Sequence, residues 1–143
     1  MGELTTIIST SKDGPVVLGQ DGSEAEVIAN RERLLGPKGI TTNFIQMRPE
    51  HKDRIVTITK KSRSQYEGKL GEGRVLCDGL LTREKHLALE ADPADCHIIV
   101  IFHESSGTLG LFHCGREGTV RHLIEKGIRE GAQLAGIETS SFA

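Results

Sequence analysis

Residues 96–114 read CHIIVIFHESSGTLGLFHC, two apolar runs that flank the polar turn Glu104–Gly107. This pattern predicts an antiparallel hairpin. A turn centred on the four polar residues pairs Ile98 with His113. Because side chains alternate faces along a strand, Cys96 and His113 then share one face as diagonal neighbours, with Cβ atoms about 7 Å apart. A thiolate and an imidazole at that separation can share a metal ion or, with a local bend, hydrogen-bond directly.

The sequence on either side of the hairpin predicts further strands and two helices. Ser23 with Glu26 fits the start of a helix that ends before Gly36, and a second helix begins at about Thr119. Extended segments are expected at Glu3–Thr10, Pro15–Gly19, Ile40–Met47, Arg54–Lys60, Val75–Thr82 and Leu87–Ala91, with an exposed loop at Lys60–Gly73. Strands in the middle and helices at both ends predict an α+β fold: a mixed β-sheet with a central antiparallel hairpin, covered by helices, in a single layered domain over residues 1–143.

Composition and charge exclude several classes of function. The 143-residue chain carries 18 Lys and Arg against 20 Asp and Glu, a net charge of -2, so no bulk attraction to nucleic acid or anionic membranes is expected. Aromatic residues make up only 3%, which leaves few side chains on which bases could stack. The longest apolar run, Ile98–Phe102, is too short to cross a bilayer. With three cysteines and no secretion signal, we expect a cytoplasmic protein without disulfides.

His113 lies at a predicted junction between a strand and a helix. The residues after it, Cys114–Thr119, include two glycines and lead into the last helix. Free backbone N–H groups and the positive end of a helix dipole stabilise a thiolate or a bound oxyanion at such a place. The residues alone leave two interpretations open. Cys96 and His113 are either a reactive or metal-binding pair, or a small buried cysteine and a histidine with its hydrogen bonds satisfied inside the fold.

Three motifs resemble the central signatures of the laccase-domain family, also called multicopper polyphenol oxidoreductases, which includes purine nucleoside phosphorylases. The motifs are Asp78-Gly79-Leu80-Leu81-Thr82, Ala94-Asp95-Cys96 and His113-Cys114-Gly115-Arg116-Glu117-Gly118-Thr119. They are similar to A-D-[AG]-x-x-T, A-D-C and H-A-G-W-R-G-T in the family. Asn30-Arg31 in the first predicted helix resembles the family's Asn-Arg pair. The resemblance covers roughly residues 17–135 and marks the chain as a short, divergent member.

The resemblance implies a zinc ion held by two histidines and one cysteine beside a purine nucleoside pocket. Cys96 and His113 match two of the ligands and are also implied as catalytic residues. The third ligand belongs to a Gln-x-His motif, where this chain has Gln46-Met47-Arg48, so His51 is expected to replace it across a short insertion. Copper is the less favoured metal, because multicopper oxidases carry several His-x-His pairs and none of the six histidines here forms one. Two further residues are implied to bind substrate, Asp78 and Arg116.

Three functions are compatible with these residues. The first is a zinc enzyme with an open fourth coordination position that acts on a purine nucleoside, by adenosine deamination or nucleoside phosphorolysis. Glu117 stands where the family carries Arg, so repulsion of phosphate should favour deamination or hydrolysis.

The second function is a metal-free amidohydrolase or deamidase in which His113 activates Cys96. The third is a non-catalytic, degenerate binding module. For partners, we expect a small-molecule nucleoside, no nucleic acid and no membrane. A second copy of the chain is expected to cover an open sheet edge as a homodimer.

Overall fold

The structure is a computed structural model that describes residues 4–17, 22–40, 44–68 and 74–142. The strands in chain order are β1 (Ile45–Arg48), β2 (Ile55–Ile58), β3 (Arg74–Leu76), β4 (Gly79–Thr82), β5 (Leu89–Glu90), β6 (His97–His103) and β7 (Thr108–Cys114). The α-helices are α1 (Glu24–Leu35), α2 (Lys60–Tyr66), α3 (Arg116–Val120) and α4 (Leu123–Ala135). No helix in these described ranges has the length and apolar character needed to cross a membrane.

The strands form two sheets. One is parallel with the order β3-β1-β5, and the other is mixed with the order β2-β4-β7-β6. In the mixed sheet, β2 and β4 are parallel, while β7 runs antiparallel to both β4 and β6. The α+β class is therefore confirmed. The strands are divided between two sheets where one was expected, because the segment Val75–Thr82 is interrupted at Cys77 and Asp78 and its two halves join different sheets.

Three links lead from the three-stranded sheet to the four-stranded sheet. Residues 49–54 lead from β1 to β2, residues 77–78 lead from β3 to β4, and residues 91–96 lead from β5 to β6. Since β3, β1 and β5 are parallel, their carboxyl ends lie at one edge of the three-stranded sheet and the links begin side by side. Polar residues that are distant in sequence are thereby brought together where the two sheets meet.

The hairpin has the register that the turn predicts. Ile98 lies opposite His113 and His97 lies opposite Cys114, with seven consecutive pairs between β6 and β7. Phe112, on the face opposite His113, is fully buried and packs with Leu81 and Leu123 in the core beneath α4. The hairpin therefore presents one face to α4 and the other to the core around β1 and β3.

Helix α1 begins where the sequence predicts, with the Ser23 hydroxyl accepting a hydrogen bond from the Glu26 N–H at 3.2 Å. Its Asn-Arg pair has structural partners. Asn30 donates to the Pro15 carbonyl, and the buried Arg31 guanidinium binds both carboxylate oxygens of Glu90 in β5. These contacts fasten the segment before α1 and the helix itself to the three-stranded sheet.

Several expected elements differ from the structure. The strand expected at Glu3–Thr10 is wrong: residues 4–10 form no strand and are mostly exposed, because β-branched residues without a neighbouring strand have nothing to pair with. Residues 15–17 form no strand either, and residues 18–19 lie outside the described part of the chain. The loop expected at Lys60–Gly73 contains α2, whose first turn is capped by the Thr59 hydroxyl. The last helix is two helices, since His122 adopts a left-handed conformation (φ 54°) between α3 and α4.

Candidate metal centre

His51, Cys96 and His113 meet where the two sheets join. One potential ligand atom from each residue lies within 4.8 Å of the others. His51 is on the link between β1 and β2, Cys96 ends the link between β5 and β6, and His113 is the penultimate residue of β7. The diagonal arrangement expected for Cys96 and His113 is present, and His51 completes a group of two nitrogen donors and one sulfur donor.

His113 is held in one orientation by a buried carboxylate. Its side chain is 3% exposed, and its Nδ1 lies 3.2 Å from Oδ1 of the fully buried Asp78. Because a carboxylate only accepts hydrogen bonds, Nδ1 carries the ring proton and the lone pair is left on Nε2. This is the arrangement in which a histidine binds a metal while a second partner fixes its tautomer.

The same carboxylate also holds the loop that carries His51. The His51 N–H donates to Asp78 Oδ1 and the Lys52 N–H donates to Asp78 Oδ2, both at 2.9 Å. His51 has a φ of 60°, an uncommon conformation for a residue with a side chain. The two backbone hydrogen bonds compensate for this conformation, so Asp78 organises two members of the cluster at once.

Cys96 is partly buried and lies beside a negative charge. Its Sγ donates to Asp95 Oδ1 at 3.8 Å. Burial and then the neighbouring Asp95 carboxylate raise the pKa of the Cys96 thiol above its ordinary value. Without a cation beside it, Cys96 therefore stays a protonated thiol at neutral pH.

Gly115 leaves an open space beside all three side chains. A Cβ atom at this position would lie 3.1 Å from Cys96 Sγ, 3.8 Å from His113 Cε1 and 4.0 Å from His51 Cδ2. Any larger residue would fill the volume that borders the three donors. The role of this glycine is therefore to leave space at the cluster and not to allow an unusual backbone conformation, since its φ of -84° is open to other residues.

Asp78, Arg116 and Glu117, to which the sequence assigned effects on substrate binding, are not part of the cluster of three potential ligands. Asp78, implied as a substrate-binding residue, is fully buried and contacts His51, Lys52 and His113 instead of the surface. Arg116 is exposed at the start of α3, next to Gly115. The side chain of Glu117 points to Arg121, with 3.4 Å between its Oε2 and Arg121 Nε. Glu117, which was expected to oppose phosphate, therefore has an exposed ion-pair partner in Arg121, the residue that follows α3.

The other two cysteines and Arg48 lie outside the cluster. Cys114 alternates to the opposite face of β7, as its register predicts, and its Sγ lies 3.5 Å from Thr119 Oγ1. Cys77 is fully buried, and burial raises the pKa of its thiol to about 12. Arg48, which occupies the expected histidine position, is exposed at the end of β1.

The sequence did not indicate the orienting role of Asp78 or the clearance at Gly115. A charged residue between two apolar strand segments, in Leu76-Cys77-Asp78-Gly79-Leu80, was the available signal for a buried carboxylate with dedicated partners. Identifying those partners requires the positions of the links, which are long-range features of the fold.

Comparisons with known proteins agree with the motifs at the cluster. A family model described as multi-copper polyphenol oxidoreductase laccase matches residues 16–142. The chain belongs to this family. Its laccase-family relatives include a purine nucleoside phosphorylase of Staphylococcus epidermidis, 30% identical over 80 residues, which cover 56% of this chain and 30% of the relative. Another is a purine nucleoside phosphorylase of Mycobacterium bovis, 28% identical over 118 residues, covering 79% of this chain and 44% of the relative.

Two solved structures have a similar fold. YlmD from Geobacillus stearothermophilus matches with a TM-score of 0.73 and 24% identity over 90% of this chain and 48% of that one. The hypothetical protein YfiH from Bacillus licheniformis matches with a TM-score of 0.72 and 22% identity over 85% of this chain and 46% of that one. At these identities the likeness concerns the fold alone. The laccase-family chain described here spans less than half the length of each of these relatives.

Proposed function

We propose that this chain is a zinc-dependent enzyme that acts on purine nucleosides. The observation that carries the proposal is the convergence of His51, Cys96 and His113, whose ligand atoms lie within 4.8 Å of one another. The substrate class is suggested by relatives named purine nucleoside phosphorylase. As the chain spans less than half of those relatives, its activity has to be established on the chain itself.

The donor set fits zinc. Catalytic zinc sites commonly have three protein ligands drawn from histidine nitrogen and cysteine sulfur, and they keep one position open. Bond lengths of about 2.0 to 2.3 Å place tetrahedral ligand atoms roughly 3.3 to 3.8 Å apart, so side-chain movements of about 1 Å would close the cluster. Asp78 supports this assignment, because it keeps the proton on Nδ1 of His113 and leaves Nε2 as the donor.

Zinc at such a site polarises a substrate oxygen or lowers the pKa of water. The protein residues supply orientation and space. Asp78 fixes the His113 tautomer and the backbone at His51, so that only small side-chain movements are needed for the two imidazoles to reach a shared metal ion. Gly115 leaves room beside the three donors for a substrate group to approach. Asp95, an exposed carboxylate in hydrogen-bonding reach of Cys96 Sγ, could carry a proton during turnover.

The surroundings support phosphate as well as water as the acceptor. Arg116 is exposed beside Gly115, and Glu117 is engaged by Arg121. The repulsion expected from Glu117 is thereby weakened, because the ion pair offsets its charge. Phosphorolysis and deamination are both retained, and the products distinguish them.

The first experiment measures metal content. Purified protein is analysed for zinc and copper beside Cys96→Ser, His113→Ala and the control Cys114→Ser, which alters a cysteine on the opposite face of β7. We expect about one zinc per chain in the native protein and the control, and loss of zinc in the other two variants. Full zinc content in His113→Ala would contradict the proposed ligand set.

The second experiment measures turnover. Native protein and His113→Ala are incubated with adenosine, inosine or methylthioadenosine, with and without phosphate. Ribose 1-phosphate, free base and ammonia are then separated by chromatography. Release of ribose 1-phosphate that depends on phosphate identifies phosphorolysis, and ammonia from adenosine identifies deamination. A zinc-loaded protein that forms none of these products is a binding module and not an enzyme on nucleosides.

One observation favours the metal-free alternative. Asp78, His113 and Cys96 follow one another in the order of a catalytic triad, with the carboxylate orienting the histidine next to the thiol. Against it, the Cys96 thiol is directed at Asp95, whose charge opposes thiolate formation. Inactivation by iodoacetamide with no effect of chelators would support this alternative, and inactivation by chelators would exclude it.

A further inference from the structure

Strand β6 forms an open edge of the four-stranded sheet. It pairs with β7 through seven consecutive residues, and no other strand lies beside it within residues 4–17, 22–40, 44–68 and 74–142. Folded proteins usually protect such an edge with charged residues, proline, a bulge or a short strand, because unpaired N–H and C=O groups recruit other strands. The composition of β6 therefore indicates whether this edge is protected against pairing with another strand.

None of these protective features occurs in β6. It reads HIIVIFH, with five apolar residues between His97 and His103 and no proline or formal charge among them. The unbroken register with β7 excludes a bulge. Val100, at the centre of the strand, has 40% of its surface exposed. The opposite edge of the sheet differs, because β2 has only four residues.

The sequence of β6 is complementary to itself. Read in either direction from Val100, the residue types are apolar, apolar and histidine. Antiparallel pairing of two β6 strands about a two-fold axis at Val100 matches His97 with His103, Ile98 with Phe102, and Ile99 with Ile101. Every inner pair is then apolar on both strands, and no pair joins two formal charges at neutral pH.

We propose that two copies of this chain pair through β6 in this register and form a homodimer. The pairing joins two four-stranded sheets into one of eight strands, a size that open sheets reach in folded proteins. It covers Val100 with the same residue of the second copy, as a two-fold interface requires. The symmetry of β6 about Val100 selects the occupant, because a second copy of the same strand places an apolar residue opposite every inner apolar residue. The inference does not depend on the proposed function.

The register is tested by disulfide cross-linking. Residues directly opposite each other in an antiparallel pair have Cα atoms about 4.5 to 5.5 Å apart, within the range that a disulfide spans. Val100→Cys should therefore cross-link between two copies under mild oxidation, and mass spectrometry should identify residue 100 on both linked peptides. Phe102→Cys is the matched control, because its two copies would lie roughly 14 Å apart along the strands. Equal cross-linking at both positions would overturn the register.

The interface is tested by sedimentation of the native chain and of Val100→Lys. The native chain should sediment at twice its 15.6 kDa mass. Val100→Lys should raise the dimer dissociation constant by at least about tenfold, since it places like charges opposite each other. Val120→Lys is the control, because Val120 is 68% exposed and lies on α3, outside the strand that would pair. A monomeric native chain, or a dimer that Val120→Lys weakens as much as Val100→Lys does, overturns the proposal.

Discussion

Asp78 hydrogen-bonds to both histidines of the candidate centre and so determines how they are positioned. Its carboxylate accepts from the N–H groups of His51 and Lys52 and lies against Nδ1 of His113. Its own carbonyl accepts from the His113 N–H at 2.8 Å. A buried carboxylate is stable only when such donors surround it, so the residue and its partners depend on one another.

Asp78→Asn should weaken metal binding and destabilise the fold. An amide has one accepting oxygen where the carboxylate has two, so at least one buried donor loses its partner, at a cost of about 1 to 3 kcal/mol. Loss of a carboxylate that orients a ligating histidine typically lowers metal affinity about 10- to 100-fold. A competition titration with a zinc-binding dye and urea unfolding measure the two effects. Glu104→Gln, which removes an exposed carboxylate in the hairpin turn, is the control, and unchanged zinc affinity in Asp78→Asn would contradict the role of Asp78.

Cys77 should make the fold less stable at alkaline pH. Burial raises the pKa of its thiol from 9.0 to about 12, so between these values the folded state keeps a proton that the unfolded chain releases. The stability that this thiol contributes is present below pH 9 and is lost as the pH rises, with a slope of about 1.4 kcal/mol per pH unit. The free energy of unfolding of the native chain, minus that of Cys77→Ala, should fall accordingly between pH 9 and 11. Parallel pH curves for the two proteins would show that Cys77 ionises equally in both states.

The site residues differ in how far sequence could predict them. The alternation of side chains in one hairpin brings Cys96 and His113 together, because their separation depends only on a local register. His51 was expected from a motif with an insertion, and the structure brings it to the cluster. The contacts of Asp78 depend on two links that cross between the sheets and on the end of β7, and no local pattern encodes how these segments meet.

At the scale of elements, the contact of α4 with β7 explains glycines that weaken a helix in isolation. Phe112 in β7 lies against three glycines, one of them Gly127 in α4. A Cβ at Gly127 would lie 2.4 Å from the ring, so only glycine lets the helix approach this closely. At Gly131, one turn further along α4, the nearest atom would be 3.3 Å away. The two glycines lie in the same helix, but a side chain at Gly127 would be much closer to its neighbours than a side chain at Gly131.

Gly127→Ala should be less stable than Gly131→Ala. Alanine favours a helix over glycine by about 1 kcal/mol at both positions. At Gly127 the added methyl group overlaps Phe112, and overpacking of this kind costs about 1 to 3 kcal/mol or more. Urea unfolding should therefore show Gly131→Ala as neutral or stabilising and Gly127→Ala as destabilised. Equal stability of the two variants would mean that α4 shifts away from β7 at little cost.

The elements predicted correctly are those with local signals. Helix α1 has a capping serine and an end at glycine, and the hairpin has a polar turn between apolar runs. The segment Glu3–Thr10 has the composition of a strand and no partner, so its propensity was misleading. The division of Val75–Thr82 between two sheets required knowledge of which strands each half pairs with.

At the scale of the whole molecule, the candidate centre joins parts of the chain that belong to both sheets. His51 and Cys96 lie on two links between the sheets, and His113 lies in the four-stranded sheet. A metal ion bound by all three would connect these segments only in the folded state, because the three ligands come together only when the chain folds. Binding would therefore add to the stability of the entire fold.

Chelation should lower the melting temperature of the native chain. At a free zinc concentration 100 times the dissociation constant, binding contributes about 2.7 kcal/mol, which corresponds to roughly 8 to 10 °C for a chain of this size. Differential scanning calorimetry with and without EDTA measures the effect, and added zinc should restore it. Cys96→Ser should melt at one temperature under all three conditions. A drop of equal size in Cys96→Ser would assign the stabilisation to another site.

The hydrogen bonds from the His51 and Lys52 N–H groups to Asp78 should also slow the exchange of these backbone amide hydrogens with solvent. Both residues are exposed, yet their N–H groups donate to a carboxylate that is fully buried. Amide exchange at these positions requires an opening that uncovers Asp78 and with it part of the interior. Hydrogen–deuterium exchange followed by NMR should therefore find two slowly exchanging amides on an exposed link, and Asp78→Asn should make both exchange fast. The segment that carries His51 would then open together with the core and not as an independent loop.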